Sequence, residues 1–169
     1  GKGVLRRARA FGMHLLGNDI QPIAPDFILE NGVQMTSLED LLAHSDFISL
    51  NADLNPTSYH LINPRTLALV KPGAVLINTA RGPLVEEPAL IAALQAKQLA
   101  GAALDVFEVE PLPHDSPLMK MDNVLLAAHN SNSSPAAWER VHWNTIRNLL
   151  ESLDIPHADF EQVWAEAKG

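Results

Sequence analysis

Apolar runs of strand length recur along this chain with helix-like stretches between them, and that alternation constrains the fold more than any other feature. Met13-His14-Leu15-Leu16-Gly17-Asn18-Asp19 reads as a strand ending in an acidic residue. Asp46-Phe47-Ile48-Ser49-Leu50, Ala74-Val75-Leu76-Ile77-Asn78, the segment 101–106 and Val124-Leu125-Leu126-Ala127 follow as further strands. Strands that are continuously apolar, rather than alternating, are buried on both faces, so they predict a parallel sheet covered by helices. The helices are marked by their ends. Thr36-Ser37-Leu38-Glu39 has capping-box spacing and opens a helix to about His44. Asn63-Pro64 places an N-cap before a proline at the first helical position, leading into a short helix over 65–70. A third helix is expected over 86–98, and Ser134-Pro135 starts a long one reaching about Leu153. Pro22 and Pro25 assign a loop between the first strand and the first of these helices. Residues 154–169 read as a loop plus a short amphipathic helix carrying Phe160, Val163 and Trp164. The expected architecture is a single α/β domain, doubly wound around a parallel sheet.

Composition narrows the function. Twelve Lys+Arg against twenty Asp+Glu give a net charge of −8, which argues against nucleic acid or an anionic membrane as the main partner. The absence of cysteine excludes disulfides, thiolate metal sites and a cysteine nucleophile, and no metal site is expected. No run approaches the roughly 18 apolar residues of a transmembrane helix.

In a parallel α/β sheet, ligands bind beyond the carboxyl ends of the strands. Those ends carry Asp19, Asn51, Thr79-Ala80-Arg81, Asp105 and His129. Four of these five positions present charged or ionisable groups where turns more often hold Gly, Asn or Ser. Asp19 lies 18 residues after Gly1; a dinucleotide site places an acidic residue about 20 residues past its glycines, on the ribose hydroxyls. A solvated turn aspartate is the alternative. Gly1-Lys2-Gly3 is not itself G-x-G-x-x-G, since Arg6 stands three past Gly3. Arg81 suits a carboxylate, which its planar fork grips with two hydrogen bonds; a surface salt bridge to Glu86 or Glu87 would explain it equally. His129 is the one histidine of seven at a strand's carboxyl end, fitting a proton-transfer role or a helix cap. Glu108 and Glu110 follow Asp105. Either could orient His129, because a carboxylate bonded to an imidazole fixes its tautomer, and a solvated acidic loop is the plain alternative.

Together these segments resemble the D-isomer-specific 2-hydroxyacid dehydrogenases. Ile77-Asn78-Thr79-Ala80-Arg81-Gly82-Pro83-Leu84-Val85-Glu86-Glu87 is similar to that family's arginine signature, and Leu104-Asp105-Val106-Phe107-Glu108-Val109-Glu110-Pro111 to its aspartate–glutamate signature. Ala127-Ala128-His129-Asn130 falls where the family carries its histidine. Three motifs in order and spacing make the likeness specific, and it extends over roughly residues 1–150. It implies a Rossmann-type fold, NAD as cofactor and a small 2-hydroxy or 2-oxo acid as substrate. Arg81 would bind the substrate carboxylate, His129 would be the general acid/base and Glu110 its partner. Asp19, Thr79, Ala80, Arg81, Asp105, His129, Asn130, Ser131 and Asn132 would line the cofactor, and the absence of arginine directly after Asp19 favours NAD over NADP. A phosphoglycerate dehydrogenase-like or hydroxypyruvate reductase-like activity is the preferred form. Glu86 stands where aspartate is usual, and Asn130-Ser131-Asn132 replaces a glycine-rich stretch.

Gly1 aligns with the third glycine of the family's fingerprint. On that alignment the sheet lacks its first strand, whose neighbours would have open edges. Residues 1–153 are then an NAD-binding domain incomplete at its start, and 154–169 a tail returning toward a substrate domain. Little or no activity is expected of this chain alone. A cytoplasmic homodimer is expected by analogy. The competing reading is a non-catalytic nucleotide-binding or co-regulator module, or an inert fragment, on the same scaffold.

Overall fold

The structure, a computed structural model, describes residues 1–131 and 133–155. These residues fall into two compact units, Gly1–His129 and one beginning at Asn130.

The first unit opens with helix α1 (Lys2–Ala10), turned at Gly12 (φ 72°) into β1 (Leu15–Gly17). Helix α2 (Pro25–Asn31) and strand β2 (Val33–Met35) follow, where the sequence predicted only a loop. The prolines misled that reading. Pro25 occupies the first helical position, where its missing N–H costs nothing, and Gly32 closes the helix in the left-handed conformation (φ 64°). β2 is three residues long and buries only Val33, too little for a pattern of its own. It pairs with β1 in parallel, Leu15 opposite Val33. Leu15, Phe27 and Val33 form a small core on which Leu5 and Ala8 of α1 pack.

Helix α3 (Leu38–His44) is capped by Ser37, whose Oγ accepts the Asp40 N–H at 3.0 Å. Strands β3 (Phe47–Leu50), β4 (Val75–Asn78), β5 (Gly101–Leu104) and β6 (Val124–Leu126) then form a four-stranded sheet in that order, parallel throughout. Helix α4 (Pro64–Leu67) connects β3 to β4. The Asn63 side chain accepts from the Arg65 and Thr66 N–H groups, and Thr66 answers with a hydrogen bond from the Asn63 N–H. Helix α5 (Glu87–Gln95) connects β4 to β5 and is preceded by a 3-10 turn, Gly82–Leu84. The expected parallel α/β architecture is therefore present. Among the described residues, β1 and β3 each pair on one side only.

The main core lies on one face of β3, β4 and β5, where Ile48, Leu50, Leu76, Ala102 and Leu104 are buried. On the other face Phe47 is 58% exposed and Val75 and Ile77 are only partly buried, so the expected burial of both faces is not found among the described residues. Leu42 and Ile62 are fully covered, and Leu76 and Leu90 almost so. Ile62 also bridges to Val85 in parallel and tethers the segment before α4 to the turn after β4. β6 is the edge, with Leu125 74% exposed.

The second unit, described by itself, holds helix α6 (Pro135–Ser152), capped by Ser134 Oγ on the Ala137 N–H at 3.2 Å. Trp138, Val141, Leu149 and Leu153 are apolar and more than half exposed. The expected amphipathic helix around Phe160 lies outside the described residues. Among the described residues no helix is long and apolar enough to cross a membrane.

Leu76→Ala should destabilise the first unit by about 2–5 kcal/mol, the range for emptying a packed leucine site, whereas Leu125→Ala on the open edge should stay within about 0.5 kcal/mol. Urea unfolding of both variants checks the placement of the core.

Candidate active site

Because β4, β5 and β6 run parallel and side by side, the segments leaving their carboxyl ends gather at one rim of the sheet. After β4 comes the turn Thr79-Ala80-Arg81, held from below by Asn78, which is 1% exposed. Asn78 Oδ1 accepts the Ala80 N–H at 3.1 Å, and its Nδ2 donates to the Arg81 carbonyl at 2.9 Å. A buried amide with both ends satisfied by one turn leaves that turn little freedom. The Arg81 guanidinium donates to the Ala80 carbonyl through Nη1 at 2.6 Å, one of its five N–H donors. Residues 79–81 face residues 50–54 across a cleft of about 460 Å³, within the size range of small-ligand pockets.

After β5, Asp105 is buried (4% exposed), its N–H donating to the Asn78 carbonyl at 3.0 Å, and it is not among the residues lining that cleft. The chain then passes directly over Gly82. A Cβ added there would stand 1.7 Å from the Phe107 carbonyl oxygen and 2.7 Å from the Glu108 nitrogen. Only glycine lets the turn bearing Arg81 and the segment bearing both glutamates touch backbone to backbone.

The two glutamates diverge. Glu110 Oε2 hydrogen-bonds His129 Nδ1 at 2.7 Å, and its Oε1 accepts the Phe107 N–H at 3.0 Å. Glu108 Oε1 instead meets His60 Nε2 at 2.6 Å, and its Oε2 accepts the Glu87 N–H at 2.9 Å. The residues alone left open which glutamate meets His129, and the family resemblance implied Glu110; the geometry pairs His129 with Glu110. His129 itself sits in the left-handed region (φ 53°), an uncommon conformation for a residue with a Cβ. Burial pushes the Glu110 carboxyl up. The Phe107 N–H, the His129 hydrogen bond and charge, and the Arg81 charge outweigh it and hold the group below the ordinary carboxylate value of 4.5. Arg81, Glu110 and His129 thus share one electrostatic environment.

Asp19 is exposed just past β1, its Oδ1 accepting the Gln21 N–H at 2.8 Å. Asn130 and Ser131 are exposed and begin the second unit, while Asn132 lies outside the described residues. No group of three or more His, Asp or Glu able to hold a metal ion occurs among the described residues. The sequence reading set His60 aside as ordinary and gave Asn78 no role. His60 lies 48 residues from Glu108 and meets it only through folding; a polar residue closing an apolar strand was the available signal for Asn78.

Residues 1–131 match the family described as D-isomer specific 2-hydroxyacid dehydrogenase, NAD binding domain. The chain belongs to this family. A glyoxylate reductase of Korarchaeum cryptofilum is 43% identical over 150 residues, covering 89% of this chain and 45% of the relative. A D-3-phosphoglycerate dehydrogenase of Escherichia coli is 40% identical over 151 residues, 87% of this chain and 36% of the relative. Among solved structures, the holo form of Rhodotorula graminis D-mandelate dehydrogenase superposes with a TM-score of 0.82 at 33% identity, over 88% of this chain and 44% of that one. The chain spans less than half the length of these dehydrogenases. The match falls on their NAD-binding domain, so the family and the Rossmann-like fold expected from the three motifs are both found.

Two outcomes follow from the geometry. Gly82→Ala should cost at least the roughly 1–3 kcal/mol typical of overpacking, since the atom it meets is backbone and cannot rotate away; thermal unfolding measures it. Glu110, whose folded pKa is lowered, contributes stability that is present above its ordinary value and lost as pH falls through the folded one. The difference in urea midpoint between the wild type and Glu110→Gln should therefore close as pH falls below the ordinary carboxylate value of 4.5. A gap that widens as pH falls below that value would contradict the pairing.

Proposed function

We propose that this chain is the cofactor-binding part of an NAD-dependent oxidoreductase that reduces 2-oxo acids to D-2-hydroxy acids and catalyses the reverse oxidation. The observation that carries the reading is the 2.7 Å contact between Glu110 and His129 beside Arg81. Three groups of these types, in one environment at the carboxyl rim of a parallel sheet, suit proton transfer next to a bound carboxylate.

The residues fit a dinucleotide. Asp19 offers an exposed carboxylate past β1 for the ribose hydroxyls, and with no arginine beside it repels the extra phosphate of NADP. Thr79, Ala80 and Arg81 line the open cleft, and Asp105, buried just past β5, is tied to the strand before them through the Asn78 carbonyl. His129, Asn130, Ser131 and Asn132 complete the proposed cofactor contacts. When bound, NADH supplies the hydride that reduces the substrate's carbonyl carbon.

The chain's own residues perform the rest. Glu110 accepts from Nδ1 of His129, which leaves Nε2 as the atom that gives a proton to the carbonyl oxygen and recovers it in the reverse direction. Arg81 grips the carboxylate through paired N–H donors and stabilises the negative charge growing on the oxygen. Asn78 keeps that arginine in place by fixing its backbone. Residues 1–153 constitute the NAD-binding domain and 154–169 the tail returning toward a substrate domain. A cytoplasmic homodimer completes the proposal by analogy with related domains.

The chain should bind NADH more tightly than NADPH in a fluorescence titration, with Asp19→Ala weakening that preference. In a form that turns over glyoxylate or hydroxypyruvate, His129→Ala should lower the rate by about 10²–10⁴-fold, the worth of a positioned general acid. Near-normal turnover by that variant would sink the assignment, and NADH binding with no turnover in any form would favour a non-catalytic nucleotide-binding module.

A further inference from the structure

We propose that His60 and Glu108 are positioning residues that clamp the segment carrying Glu110 and so fix the Glu110–His129 pair. The inference rests on the acid/base reading of His129 for its functional meaning, but the clamp itself is argued from geometry.

Glu108 is tied at three points. Its Oε1 meets His60 Nε2 at 2.6 Å, its Oε2 accepts the Glu87 N–H at 2.9 Å, and its own N–H donates to Glu87 Oε2 at 3.2 Å. The Glu87 N–H is one of the first donors of α5, whose preceding residue, Glu86, supplies no side-chain cap. An uncapped helix start needs acceptors. Glu108 provides one from 21 residues away. The backbone of Glu108 is also pressed onto Gly82.

His60 is anchored with equal care. Its N–H donates to the Pro83 carbonyl at 2.9 Å, its carbonyl accepts Asn63 Nδ2 at 2.8 Å, and its ring stacks on Tyr59 with centroids 3.9 Å apart. Its backbone is left-handed (φ 50°), as is that of His129. Such conformations cost about 1–3 kcal/mol and persist where surrounding contacts over-determine them. Two strained histidines thus each hold one glutamate of a single Glu-x-Glu segment.

The division of roles follows from this arrangement. Glu108 is 24% exposed and all of its described bonds point to fixed neighbours, whereas Glu110 is 36% exposed and receives His129. With Glu108 held on three sides, the position of Glu110 two residues on is restricted before His129 contributes anything. Apart from that restraint, the described hydrogen bonds of the Glu110 side chain are the local Phe107 N–H and the His129 contact that it serves.

The test reads the imidazole of His129 in the 169-residue chain, with no cofactor or substrate present. In ¹⁵N NMR at neutral pH, Nδ1 and Nε2 are well separated when one tautomer is fixed and move toward a common mean when it is not. Glu110→Gln sets the scale of the full effect. Glu108→Ala and His60→Ala should each move the two resonances in the same direction by about half of that or more. Glu108→Gln keeps an oxygen for the Glu87 N–H and a polar group for His60, and should stay close to wild type. Should Glu108→Ala fail to fold, as judged by the amide spectrum of Leu76 and Leu90, His60→Ala and Glu108→Gln decide. Resonances unmoved in both folded His60→Ala and Glu108→Ala overturn the clamp, as does an unmoved spectrum in Glu110→Gln, since there would then be no pair to position. Lack of turnover or NADH binding overturns only the dehydrogenase reading, because neither enters this measurement.

Discussion

The Phe107 carbonyl carbon lies 2.0 Å from where a Cβ on residue 82 would stand. Glycine makes that approach possible, and the rest of the site depends on it. The turn after β4 carries Arg81, the segment after β5 carries Glu108 and Glu110, and elsewhere these connections would be kept apart by side chains. Backbone contact brings the guanidinium close enough to lower the Glu110 pKa and lets Glu108 and Glu87 exchange hydrogen bonds. The steric rule is elementary, but its effect is to merge two loops into one rim.

Parallel topology supplies the third component. β6 lies next to β5, so the chain emerging from its carboxyl end reaches the same rim and delivers His129 to Glu110. An antiparallel neighbour would have sent the equivalent residue to the opposite end of the sheet. The apolar character of β4 and β5 therefore bears on chemistry as well as stability, because the face that they bury holds the crossover helices that keep the strands parallel.

This also accounts for what could be seen in the sequence. Strands β3 to β6 were legible because they are apolar on both faces, and α4 because Asn63-Pro64 announces both its cap and its first turn. β1 was legible but shorter than its apolar run. α2 and β2 were hidden. Proline at a helix start looks like proline in a loop until the helix is seen, and a three-residue strand with one buried side chain has no period. Within the site, Arg81, Glu110 and His129 were visible as strand-end residues and as parts of motifs. His60 was not, because its position is set by the bridge of Ile62 to Val85, a pairing between segments that each look like turn.

Glu87 illustrates how the protein tolerates its own crowding at this rim. Burial raises its pKa above the ordinary 4.5, the Glu108 N–H pulls it down, and the Glu108 charge pushes it up again. Two carboxylates facing each other at a partly buried position oppose one another at neutral pH. The arrangement survives because each glutamate side chain also accepts the other's backbone N–H, and because the N-terminus of α5 favours negative charge. The sign of the linkage sets where this matters. A raised folded pKa means that the stability Glu87 contributes is fully present below its ordinary value and lost as pH rises through the higher folded one. Glu110, with its pKa shifted the other way, gains as pH rises toward the ordinary value of 4.5, below the range in which Glu87 loses. The two carboxylates on either side of Glu108 therefore respond to pH in opposite senses. The repulsion at Glu87 accompanies the hydrogen bonds that hold Glu108, and through Glu108 the geometry at His129.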